Sequence, residues 1–206
     1  MAHQKGGVGK TTLAINLAQV LNADLLDLDL QRSCLLWNKI RETEKLKCYA
    51  PANITEADEI MSAYKSTDKI LIIDCGGFDS ETNRFALLRA NIIISPVSPS
   101  QVELFGLQNF IKILKDASEK TGREIVANVI VNNADVRSRG AIDDVKQYVS
   151  TGQKHLRLFD TVVHWRVDFR KSYAAGLSVV ELNPKSKAAE EIISLADEVK
   201  KLFKNV

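Results

Sequence analysis

Two spacings of apolar residues alternate along this chain. Short aliphatic runs (Ala23 to Gln31, Lys69 to Gly77, Asn91 to Pro96, Glu124 to Asn133, Leu156 to Val163) are separated by stretches in which apolar residues return every three or four positions. The runs read as strands. Ile70-Leu71-Ile72-Ile73 has no polar interruption, as expected of a parallel strand covered on both faces. The periodic stretches read as helices over Leu13 to Asn22, Ser33 to Glu44, 55–66, Gln101 to Lys120, Ala141 to Val149, Arg166 to Ala175 and Ala188 to Phe203. Thr55, answered by Asp58, is the expected cap of the third, and Gly122 and Gly176 are expected stops. Leu35, Leu36, Trp37 and Ile40 form a stripe expected to face the core.

Strand and helix alternate from one end to the other, without repeats or low-complexity segments. The expected class is therefore α/β: a single three-layer, doubly wound domain over residues 1–206 with a mostly parallel central sheet. A chain of 206 residues, 45% of them hydrophobic, can fill one such core. Open parallel sheets bind ligands beyond the carboxyl ends of their strands, so chemistry is expected just after each run.

One stretch precedes all the runs. His3-Gln4-Lys5-Gly6-Gly7-Val8-Gly9-Lys10-Thr11-Thr12 reads as a phosphate-binding loop entering a helix. Its three glycines let backbone N–H groups converge on one anion, and the helix adds its positive end. Lys10 is placed for the outer phosphates and Thr11 for magnesium. The general pattern G-x-x-x-x-G-K-[ST] is not met in full, because Gln4 stands where its first glycine would be. Only Met1-Ala2-His3-Gln4 precede Lys5, so the strand ahead of the loop is expected either to be very short or to begin upstream of Met1. Asp74, closing the most aliphatic run, suits a carboxylate that bonds magnesium-bound water, and Gly76-Gly77 would let a switch loop approach the γ-phosphate. Asp27 and Asp29, two apart, are expected on one face near a strand's carboxyl end.

The second lysine, in Lys5-Gly6-Gly7-Val8-Gly9-Lys10-Thr11-Thr12, resembles the deviant Walker A loop of ParA/MinD-type ATPases. Asp27-Leu28-Asp29-Leu30-Gln31 resembles that family's D-x-D-P-Q with leucine in place of proline, and Ile94-Ser95-Pro96-Val97-Ser98-Pro99-Ser100 resembles its segment after the fourth strand. The chain is most similar to the small, ParF-like partition ATPases that lack an N-terminal helix-turn-helix extension. The resemblance implies ATP/ADP and Mg2+ as cofactors. It implies nucleotide contacts from Gly6, Gly7, Val8, Gly9, Lys10, Thr11 and Thr12, and Mg2+ held by Thr11, Asp27 and Asp74. Asp29 would orient the attacking water. Lys5 would reach the partner subunit's phosphates in an ATP-bound homodimer, making Lys5, Lys10 and Asp29 the catalytic set. Asn132 and Asn133 would lie against the adenine, although asparagines at a strand end equally suit a turn, and Pro184 would pack on the base. The helix from Gln101 would face the partner subunit. The activity implied is slow ATP hydrolysis by a protein that binds DNA without sequence preference and is stimulated by a small, ParB-like centromere-binding protein. The alternative is a MinD-type or cargo-positioning ATPase at membrane or nucleoid.

Composition narrows these readings. Net charge is only +2, yet residues 137–171 hold eight Lys/Arg against four Asp/Glu. Within this segment Lys154, Arg157, Arg166, Arg170 and Lys171, beside His164 and Trp165, are candidate DNA contacts. No apolar run is long enough to cross a membrane and the start is polar, so a cytoplasmic protein is expected; the resemblance implies nucleoid association when ATP-bound. The last helix, with Ile192, Ile193, Leu195, Ala196, Val199, Leu202 and Phe203, is read as core rather than as a membrane anchor. Cys34, Cys48 and Cys75 lack metal or disulfide spacing and are expected as free thiols, which argues against a cluster-bridging reductase.

Overall fold

The computed structural model describes residues 1–3, 5–77, 80–151 and 154–204. Among these, six strands form two three-stranded sheets, ordered β2-β1-β3 (Cys48–Tyr49, Asp24–Asp27, Leu71–Asp74) and β4-β5-β6 (Ile93–Val97, Ala127–Ala134, Leu156–His164). Every strand pair is parallel. The halves meet through the first residues of the chain. On one side the Met1 ammonium donates to Ile73 O (2.6 Å) and Cys75 N–H to Met1 O (3.2 Å); on the other, Ala2 N–H donates to Ile94 O (2.9 Å). Met1 and Ala2 are thus a strand-like stub between β3 and β4. Beneath it lies a cavity of about 500 Å³ walled by Leu71, Ile72, Ile92, Ile93 and Phe203, among others.

Helices cover both faces because strand side chains alternate. Ile130 of β5 packs with Leu13 and Leu17 of α1 (Lys10–Leu21) and with Ile192, Leu195 and Val199 of α9 (Lys187–Phe203). Its neighbours Val129 and Val131 point the other way, onto Leu107, Phe110 and Leu114 of α5 (Gln101–Thr121) and Val145 and Val149 of α6 (Arg139–Ser150). The same alternation puts Leu25 of β1 against Trp37 of α2 (Ser33–Ile40) and Leu26 against Ala57 and Met61 of α3 (Ile54–Tyr64). The long α5 has both its ends specified. The Ser100 side chain accepts from Glu103 N–H at the start, and Gly122 adopts φ 67° at the stop.

Several boundaries differ from the sequence reading. α2 ends at Ile40, not Glu44, because Arg41 turns inward: its guanidinium pairs with Glu181 (2.8 Å), donates to Gly176 O and Glu44 O, and stacks 4.7 Å over Trp37. That turn leaves Leu36 and Ile40 exposed, so of the expected apolar stripe it is Trp37 that is fully buried. Asn53, not Thr55, caps α3, its side chain accepting from Glu56 N–H while Glu56 receives Ala52 N–H. Pro96 lies inside β4 rather than closing it. The polar helix α4 (Glu81–Arg89) and the single-turn α8 (Val179–Leu182) have patterns too short or too polar for periodicity to reveal. Between them in the chain, α7 spans Val167–Ala174.

Candidate active site

The phosphate loop runs over the carboxyl ends of β1 and β3. Gly7 and Gly9 take φ 80° and 89°, where side chains are strained, and α1 starts directly after Gly9 with no side chain capping its first N–H groups. These uncapped donors stand at the end of the loop that the sequence reads as phosphate-binding. Space is tight on two sides. A Cβ on Gly77 would lie 2.7 Å from Gly6 Cα and N, and one on Gly9 would lie 2.3 Å from the Asn132 amide nitrogen. The switch segment after β3 thus rests on the loop, and Asn132 backs it. The Asn132 amide donates to Val8 O at 2.7 Å and is buried, so this residue holds the loop's shape from behind, whereas Asn133 is exposed at φ 57°.

Lys10 is buried, its ammonium 2.9 Å from Lys5 O. Burial lowers its pKa against the opposing pull of Asp74 and Asp29. Lys5 sits at the rim, half-exposed, with its N–H on His3 Nδ1 (3.1 Å) and its ammonium 2.5 Å from Glu103. Gly6 is exposed beside it, and Val8 is buried under the loop. Thr12 belongs to the first turn of α1, its carbonyl accepting from Asn16, which in turn receives Val179 N–H and ties α8 to α1.

The acidic residues come together by strand register, which pairs Asp27 with Asp74 across β1 and β3. Thr11 Oγ1 donates to Asp74 Oδ2 at 2.6 Å, and the Cys34 thiol reaches the same oxygen at 3.3 Å. Asp74 Oδ1 is buried and has no partner. Burial pushes this carboxyl up to about 6, against the Thr11 hydroxyl, and pushes the Cys34 thiol well up. A hydroxyl beside an orphaned buried carboxylate oxygen suits a hard cation such as Mg2+. Among the described residues no group of three or more His, Cys, Asp or Glu could hold a metal ion. Mg2+ bound there would supply positive charge opposite the phosphates.

Asp27 and Asp29 do not share a strand face as expected, because β1 stops at Asp27. Asp29 lies in the following turn, where Asp27 Oδ1 accepts its N–H and its own Oδ1 accepts Gln31 N–H. Asp27 Oδ2 also accepts Leu35 N–H, so this fully buried carboxylate caps α2, whose N-cap residue Arg32 makes no side-chain capping bond. Asp27 thereby fixes the segment that carries Asp29. Sequence reasoning missed Arg32, held at φ 52°, whose guanidinium donates to Asp27 O and Pro51 O and so pins the turn. It also missed Arg41 and Glu181. Their pair links α2 to the capping box of α8, close to the exposed Pro184.

The candidate DNA residues separate into two groups. His164 and Arg166 both reach Glu191 of α9 (2.8 and 2.6 Å), so His164 Nδ1 and one edge of the Arg166 guanidinium are engaged inside the subunit. Lys154, Arg157, Arg170 and Lys171 are exposed, Arg170 lying 5.3 Å over the exposed ring of Trp165. No helix among the described residues is long and apolar enough to cross a membrane.

Comparison with known proteins agrees with this geometry. Maintenance of carboxysome distribution protein A of Halothiobacillus neapolitanus is 24% identical over 209 residues, covering 97% of this chain and 94% of that protein. The cell division ATPase MinD of Pyrococcus furiosus superposes with a TM-score of 0.73 at 22% identity, over 98% of this chain and 97% of that one. The septum site-determining protein MinD of Pyrococcus horikoshii, solved with Mg-ADP, gives 0.72 at 21%, over 98% and 95%. The model of the CobQ/CobB/MinD/ParA nucleotide binding domain matches residues 1–179. The two-lysine loop, the paired aspartates and this match place the chain in the CobQ/CobB/MinD/ParA nucleotide-binding family, among its ParA/MinD-type ATPases.

Proposed function

We infer that this chain is an ATP-driven positioning protein of the ParA kind. It dimerises on ATP, binds DNA without sequence preference, and hydrolyses ATP slowly until a small ParB-like partner stimulates it, so segregating plasmid or chromosomal DNA. The observation that carries the reading is the division of labour between the lysines: Lys10 is sunk in the loop while Lys5 stands at its rim, 47% exposed. A rim lysine is placed to serve a second subunit. In the proposed chemistry Lys10 and the α1 N–H groups balance the charge of the outer phosphates, Asp29 orients water from its rigid turn, and Lys5 of a partner subunit adds charge in the assembled state. Turnover is slow because the lone subunit lacks that charge.

A second reading concerns cargo. Relatives include a carboxysome distribution protein, so a protein assembly could replace DNA as what is moved. A membrane-acting version is disfavoured by α9, whose apolar residues Ile192, Leu195, Ala196 and Val199 are spent inside the core. The test is sedimentation with ATP or ADP. Lys10→Ala should bind neither nucleotide, Lys5→Ala should bind ADP but stay monomeric with ATP, and Asp29→Ala should accumulate an ATP dimer. Normal association of Lys5→Ala would end the reading.

A further inference from the structure

Lys5 is held three ways. Its N–H donates to His3, its carbonyl takes the Lys10 ammonium, and its own ammonium meets Glu103 at 2.5 Å. Glu103 lies in the first turn of α5, where Ser100 caps its N–H, and its side chain is only 6% exposed. One oxygen takes the lysine. The other, Oε2, is buried without a partner. The helix lies close against the loop, since a Cβ on Gly106 would come within 3.3 Å of the His3 ring. A nearly buried carboxylate with one oxygen already unserved is costly to leave as a bare anion, so Glu103 competes strongly for Lys5.

We propose that Glu103 is a positioning residue that parks Lys5 on its own subunit, so that only a triphosphate presented by a second subunit draws the lysine away. This inference rests on the cross-subunit role given to Lys5 above and adds what restrains it. A lysine ammonium on its own α5 cannot at the same time serve a neighbour's phosphates. The exchange from one carboxylate to a triphosphate favours the more negative partner, and a diphosphate, lacking the outermost group, does not complete it. Association is thereby made to depend on ATP rather than on any nucleotide. Val102 and Phe105, exposed on the same turns of α5, lie on the surface that such a second subunit would approach.

The test uses the full chain with Glu103→Gln, which keeps the side-chain shape and removes the charge, and Glu103→Asp as the conservative partner. In sedimentation, Glu103→Gln should dimerise with ATP at a roughly fivefold lower concentration than the parent, and should begin to dimerise with ADP. Glu103→Asp should return towards the parent, and ADP affinity should stay the same in all three proteins. Independently, acylation of Lys5 by an activated ester, read by peptide mass spectrometry in the ADP state, should be several-fold faster in Glu103→Gln. A Glu103→Gln protein that binds ADP, associates no more readily than the parent and acylates Lys5 no faster would overturn the proposal. Lys5→Ala distinguishes the two levels: if it dimerises normally the cross-subunit role itself fails, and if it stays monomeric any failure belongs to Glu103 alone. Loss of ADP binding by Glu103→Gln would also count against it, because the residue would then be building the site rather than restraining a lysine.

Discussion

His3 gives the residue scale its clearest test. The ring is buried behind the phosphate loop, tilted against Phe110, with Nδ1 accepting the Lys5 N–H and Nε2 without a partner. Burial first, then the Lys10 and Lys5 ammonium groups, lower its pKa from 6.5 to about 4. The folded protein thus keeps a neutral ring where the unfolded chain would protonate it. The resulting stability is complete above pH 6.5 and is lost as pH falls towards 4. Over that window the loss amounts to about 3 kcal/mol, taking about 1.4 kcal/mol for each pH unit. Urea unfolding of the parent and of His3→Gln should therefore diverge at pH 7 and converge near pH 4; parallel curves would mean that the ring is not held neutral. Residue chemistry was legible in sequence where it follows from a local motif: Thr11 at the end of the loop and Asp74 at the end of the aliphatic run meet in a hydrogen bond. It was illegible where a partner comes from far along the chain. Glu103 on Lys5, Asn132 behind Gly9 and Glu191 on Arg166 are contacts that only the packing of α5, β5 and α9 creates.

Among the elements, the stub formed by Met1 and Ala2 is the anomaly. It bonds to Ile73 and Cys75 on one side and to Ile94 on the other, and the cavity of about 500 Å³ below is walled by residues of both β3 and β4. Each extended residue advances about 3.3 Å, so four added residues would reach about 13 Å along the edges of β3 and β4. Burying two or three aliphatic side chains there contributes about 1.5–3 kcal/mol each, and ordering the added backbone costs about 1–2 kcal/mol per residue. With the new ladder bonds, the balance should favour folding by about 2 kcal/mol. Adding Val-Ile-Val-Ile ahead of Met1 is therefore expected to raise Tm by about 4–8 °C, whereas Gly-Ser-Gly-Ser should not. Equal melting of the two extended proteins would show that the gap does not receive a strand. Most elements were readable from periodicity because their faces are strongly apolar, α5 and α9 above all. α2 was misjudged at its end because a buried guanidinium, invisible to an apolar count, draws Arg41 inward and turns Leu36 and Ile40 out.

At the scale of the whole molecule, the proposed function makes DNA binding a property of the ATP dimer. A net charge of +2 makes the lone subunit a weak polyanion ligand, and engagement of Arg166 and His164 by Glu191 weakens it further. Exposed cations remain at Lys154, Arg157, Arg170 and Lys171. Each phosphate contact contributes a slope of about 0.9 to the fall of log affinity with log salt, so joining two subunits doubles both the slope and the electrostatic free energy. With ATP, binding to random duplex should be steeply salt-dependent and far tighter than with ADP. Changing Arg157, Arg170 and Lys171 together to alanine removes half a dozen cations from the dimer and should flatten the slope in proportion, while ATP-dependent sedimentation stays as in the parent. Arg166→Ala should instead lower thermal stability, because Glu191 loses a bidentate partner, and should leave the salt slope nearly intact. A triple variant that kept the full slope would reject these residues as the DNA surface, and ADP and ATP forms that bound alike, or not at all, would reject DNA binding by the ATP dimer.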